Sequence, residues 1–184
     1  MKRILPIFIV IIILIIGVIF CHFVIFGSGS YTTEDIKDYY DFTSHNENGI
    51  KSDLYIFPKK VQNVKEEAKY YYSFSDTFLD TTYQIYLDCV YENDEFEKEK
   101  NRIESLMYES QKIVFDNENF ILPAFVARLG NDCTSEYVLI DEQSKRIIYI
   151  YLQFAKKDDI GFDETFLPDG YRSYGECNAN YSLY

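Results

Sequence analysis

The chain has no tryptophan and only two histidines in 184 residues. His22 lies inside an apolar run and His45 in a polar stretch. Ser-His-Asp and Cys-His catalysis both need a positioned imidazole, so this shortage argues against them. No Cys-x-x-Cys pair is present, which removes the usual zinc spacing. Walker and Gly-x-Gly-x-x-Gly loops are also absent, so neither phosphate-binding fingerprint applies. Asp116-Asn117-Glu118-Asn119 opens like a calcium loop, but Ile121 stands where glycine is required and Ala127 where the closing glutamate is required. Asp158, Asp159, Asp163 and Glu164 fit a solvated acidic loop better than a cation site. With 30 acidic residues, some carboxylate pair at glycosidase spacing is expected by chance. No catalytic, cofactor-binding or metal-ligating set emerges, and no cofactor is expected.

Charge is absent from Ile4 to Phe26. At about 1.5 Å per helical residue such a run reaches roughly 34 Å, enough to cross a hydrocarbon core of about 30 Å. Lys2 and Arg3 precede it, and the first charges after it are Glu34 and Asp35. The positive-inside bias predicts a cytoplasmic N-terminus and an exterior chain from about Gly27. A cleaved signal peptide has a shorter apolar core of about 7–15 residues, although Gly27-Ser28-Gly29-Ser30 does offer small residues. A lipoprotein needs a small residue before its acylated cysteine, and Phe20 precedes Cys21. An uncleaved, single-pass signal-anchor in the cell membrane is therefore expected. Residues 1–26 form the cytoplasmic N-terminus and transmembrane anchor, 27–53 a juxtamembrane spacer with a short helix, and 54–184 an extracytoplasmic domain with an irregular tail.

All 30 acidic residues, and all but Lys2 and Arg3 of the 18 basic ones, follow the apolar run. The exterior part thus carries a formal charge of −14, against −12 for the whole chain. Such a surface repels phosphate backbones, so no nucleic-acid partner is expected. The expected partners are the lipid bilayer, through the N-terminal helix, and an envelope protein or cell-wall component. The 18 tyrosines and 15 phenylalanines favour strands, and most lie in alternating patterns. Cys89 follows Ile85 and Leu87 in one such pattern, which predicts a buried, inert thiol. Three exterior cysteines allow one internal disulfide at most; Cys133 and Cys177 are the more plausible pair, although spacing alone does not establish it.

The periodicities give an α+β fold. Thr32 or Thr33 can cap a short helix over Glu34 to Tyr40. Residues 44–52 are polar and form a loop, and Leu54 to Phe57 is an apolar run ended by Pro58. Tyr70–Phe74 and Thr81–Tyr91 make a hairpin across Asp76–Asp80. Asn93 or Asp94 then caps a helix to Ser110, with Phe96, Ile103, Leu106 and Met107 on one face. Strands follow at Lys112–Phe115, Phe120–Leu129, Ser135–Ile140 and Arg146–Phe154, with Pro123 marking an edge or a bulge. Links of hairpin length predict mainly antiparallel pairing. The expected sheet has five or six strands packed by the one amphipathic helix. Asp158 to Tyr171 is expected to cover it through Ile160, Phe162, Phe166 and Leu167.

Ser75-Asp76-Thr77-Phe78-Leu79-Asp80, Tyr83-Gln84-Ile85-Tyr86-Leu87-Asp88-Cys89 and Phe166-Leu167-Pro168-Asp169-Gly170-Tyr171 resemble small membrane-anchored proteins of Gram-positive, clostridial-type bacteria. The resemblance covers most of the exterior domain. It implies a bacterial origin and an extracytoplasmic setting. That group has no assigned activity, so no functional residue carries over. The sequence thus points to a membrane-tethered extracytoplasmic interaction domain, with a small envelope hydrolase using carboxylates as the alternative.

Overall fold

The computed structural model describes residues 11–18, 20–21, 29–43, 54–76, 81–110, 113–129 and 133–171. It is α+β, with one antiparallel sheet of seven strands in the order β1-β2-β3-β7-β6-β5-β4. The strands are β1 (Gly29–Thr33), β2 (Lys69–Asp76), β3 (Thr81–Val90), β4 (Val114–Asp116), β5 (Ala124–Leu129), β6 (Thr134–Asp141) and β7 (Arg146–Gln153). A five-residue helix, α1 (Tyr39–Thr43), lies between β1 and β2. The long helix α2 (Asn93–Ser110) carries the chain from central β3 to β4 at the far edge. From there β4 to β7 meander back to pair with β3.

Five or six strands were expected, and the sheet has seven. The additional one is β1, which begins inside the stretch expected as a spacer. It pairs along its length with β2, from Gly29 opposite Asp76 to Thr33 opposite Tyr72. The physical reason is aromatic packing: Tyr31 stacks on Phe42 at 4.7 Å, and Phe42 stacks on Tyr72 at 4.5 Å. Neither threonine serves as the expected cap. Asp35 accepts from the Lys37 N–H, and Thr33 hydrogen-bonds to Asp35 and Asp38 instead. Pro123 sits ahead of β5, and the bulge falls later, between Val126 and Arg128.

Alternation decides the two faces. Ile85, Leu87 and Cys89 of β3, with Ile147, Tyr149 and Tyr151 of β7, join one core under α2. Phe96 and Ile103 of α2 are completely buried there. Tyr86, Ile148, Ile150 and Leu152 face the other side, where Phe166 and Leu167 cover them, with Ile160 and Phe162 packed alongside. Full burial of such a side chain contributes roughly 1.5–3 kcal/mol, so both layers are needed to hold the sheet. Gln84 fixes the cover: its amide donates to the Asp159 carbonyl (2.8 Å) and accepts from the Gly161 N–H (3.1 Å). A Cβ on Gly161 would meet the Tyr71 ring at 1.9 Å, so a larger residue here would force that ring to move. The Asp141–Lys145 link closes as expected, with Asp141 accepting from the Gln143 and Ser144 N–H groups.

Of the apolar N-terminal run, residues 11–18, 20 and 21 are helical and exposed. No helix among the described residues is long and apolar enough to cross a membrane. The rest of Ile4–Phe26 lies outside the described residues, as do Gly27, Ser28, His45 and Cys177.

Candidate functional site

Where the chain leaves β1 and where it enters β2, it leaves a groove at one end of the sheet. One wall is the 3-10 turn Ile36–Asp38 running into α1; the other is the irregular stretch 59–68. Tyr39 ties the two walls together. It is buried, its hydroxyl donates to the Pro58 carbonyl, and its ring meets Tyr70 edge-on at 5.7 Å. Preceding residues are anchored more deeply. Ile56 is completely buried; its N–H donates to Glu136 Oε1 (2.8 Å) and its carbonyl accepts from Arg102 Nη2 (2.6 Å). A buried loop must satisfy its peptide groups somewhere, and here two ionisable side chains from the sheet and from α2 do so.

The groove holds about 510 Å³. Ile36, Tyr39, Val61, Val64 and Ala68 give it an apolar lining, and Lys37, Tyr40, Lys59, Lys60 and Glu67 are exposed around it. None of these three lysines makes an ion pair with a described residue. On a domain of charge −14 this is a local reversal of sign. A second depression of about 610 Å³ adjoins it, sharing Ile36, Lys37, Glu67 and Ala68 and adding Glu34, Asp35, Lys69 and Tyr70. Tyr70 is buried, and its hydroxyl has no hydrogen-bond partner. Burial raises its pKa, so it keeps its proton. An unpaired buried hydroxyl costs about 1–3 kcal/mol.

Among the described residues, carboxylate chemistry has one candidate, Glu136. It is completely buried and accepts from the Tyr55 and Ile56 N–H groups through Oε1, while Oε2 has no partner. Burial pushes its pKa up to about 7. Hydrogen bonding lowers Asp141, through Ser144, and Asp163, through the Thr165 N–H. Asp88 is also buried, but Arg146 grips both its oxygens at 2.6 Å. Neither Glu136 nor Asp88 lines the groove.

The calcium-like stretch is a turn. Asp116 accepts from the Glu118 and Asn119 N–H groups and from the Asn119 amide. Asp163 caps a 3-10 turn at Thr165, and Glu164 faces Lys157 at 3.8 Å. No group of three or more His, Cys, Asp or Glu among the described residues could hold a metal ion.

Cys89 is free and completely buried, and Cys133 is disulfide-bonded. Burial pushes the Cys89 thiol up to about 12, leaving almost no thiolate at neutral pH. In the folded protein a water-soluble maleimide should leave Cys89 unmodified at neutral pH until denaturant is added, and should reach Cys133 only after reduction. Rapid labelling of Cys89 without denaturant would overturn this and favour a thiol-based activity.

No protein-family model, curated protein or solved structure matches this chain. Lys59-Lys60 after Pro58 is visible in the sequence, but nothing local brings Lys37 beside them.

Proposed function

We propose that the chain is a membrane-tethered extracytoplasmic interaction domain, held by Ile4–Phe26 with its N-terminus in the cytoplasm. Three observations support the tether: the uncharged run, the basic pair Lys2 and Arg3 before it, and the wholly acidic excess after it. The Cys133 disulfide suits an oxidising exterior. Binding is carried by one observation, the open groove with an apolar lining and unpaired lysines around it. Small carboxylate hydrolases are the second reading, and Glu136 alone favours it. Glycosidase chemistry needs two carboxylates flanking a substrate, and Glu136 is sealed from solvent.

The tether is tested on intact cells freed of their wall. Added protease should digest the domain, and the purified protein should retain its N-terminal segment. A protected domain would reverse the orientation, and a mature N-terminus near Tyr31 would remove the anchor.

A further inference from the structure

We propose that the groove takes an acidic peptide segment of a neighbouring protein, with its carboxylates on Lys37, Lys59 and Lys60 and an apolar side chain on the floor. The inference rests on the reading of the chain as a tethered interaction domain. Charge selects the ligand's sign, because the three lysines have no described counter-ion on an otherwise acidic domain. The floor selects against a bare polyanion. Ile36, Val61, Val64 and Ala68 offer nothing to a phosphate or sugar chain, but they fit a leucine or phenylalanine side chain.

The second depression continues the first past Ile36 and Ala68 but adds Glu34 and Asp35 to its lining, so the acidic segment is confined to the first groove. Topology argues against a lipid headgroup. The chain enters the sheet at Gly29, opposite Asp76, whereas the groove forms beyond Thr33 and before Lys69, at the other end of β1 and β2. Four strand steps of about 3.4 Å separate the two ends of β1, and only Gly27 and Ser28 separate Gly29 from the proposed anchor. The end bearing Gly29 is thus the one nearer the proposed anchor along the chain, and the groove lies at the other end of β1 and β2.

The test uses the full chain in detergent micelles and a fluorescein-labelled Glu-Leu-Glu-Phe-Glu-Leu peptide read by anisotropy. Saturable binding is expected, weakened when salt is raised from about 0.05 to about 0.5 M. The Lys37→Glu, Lys59→Glu, Lys60→Glu triple variant should bind at least about tenfold more weakly; all three side chains are exposed, so the fold is retained. Equal binding by wild type and triple variant overturns the proposal. So does equal binding of a Lys-Leu-Lys-Phe-Lys-Leu peptide, or displacement by polyphosphate or phosphatidylglycerol vesicles as effective as by unlabelled peptide. Photo-cross-linking in cells separates this inference from the function it rests on. Benzoylphenylalanine at Tyr108, exposed on α2, that captures a protein while the same probe at Tyr40 does not would sink the groove and leave the interaction domain. Capture at neither site would sink both.

Discussion

Ile103→Asp is expected to lower the unfolding free energy by about 4 kcal/mol or more, the range for an uncompensated charge placed in a core. Ile103 is completely buried in the layer between α2 and the sheet, with Phe96 the other fully buried side chain of that helix. Single domains are stable by about 5–15 kcal/mol, so the variant should lose much of its margin. The comparison must be chosen with care. By helical spacing Glu99 belongs to the solvent face, but it is only partly exposed and accepts from Arg102 and from the Tyr149 hydroxyl. Glu99→Lys would put an ammonium beside the Arg102 guanidinium and strip Tyr149 of its acceptor, a loss of about 3 kcal/mol. Asn101→Ala, on the exposed side, should change stability by less than about 0.5 kcal/mol. Urea unfolding followed by far-ultraviolet circular dichroism ranks the three. Equal midpoints for Ile103→Asp and Asn101→Ala would show that this helix face does not pack on the sheet.

Stability should fall as pH rises from about 5 to about 8, and Glu136 is the cause. Its carboxyl moves from an ordinary 4.5 to about 7 through burial, opposed by the Ile56 and Tyr55 N–H bonds and by Arg128. Below pH 4.5 both the folded and the unfolded chain hold the proton. Between 4.5 and 7 the unfolded chain has lost it while the folded chain keeps it, so each step up in pH favours unfolding. Above 7 the loss is complete, on the order of 3 kcal/mol. Asp141 and Asp163, whose pKa values are lowered, act with the opposite sign and only in more acidic solution. Glu136→Gln keeps an oxygen for the two N–H groups and removes the titration. Unfolding midpoints at pH 5.5 and pH 8 should therefore differ in wild type and nearly coincide in the variant. An identical pH dependence in the two proteins would rule Glu136 out as the source.

Much of the fold was legible because it follows from local period. Alternation located β2, β3, β6 and β7, and the 3.6-residue spacing of Phe96 and Ile103 oriented α2. Ile160, Phe162, Phe166 and Leu167 were recognisable as anchors because isolated apolar residues in a polar stretch need a surface to cover. β1 was not legible. Its five residues, mostly small and exposed around the single Tyr31, have no apolar rhythm of their own, and they are a strand because Tyr31 and Phe42 stack back onto Tyr72.

The candidate site divides in the same way. The sequence by itself determined the uncharged run, the acidic excess, the buried phase of Cys89 and the shortage of histidine, because each depends only on composition or on neighbours a few positions away. Tertiary structure alone decided that Glu136 and Arg102 meet the peptide groups of Ile56, from 80 and 46 residues away. It also decided that Lys37 shares a groove with Lys59 and Lys60. Such meetings are set by strand order and by which loop must cross a buried face, and those are fixed by the whole sheet burying both its sides at once rather than by any local preference.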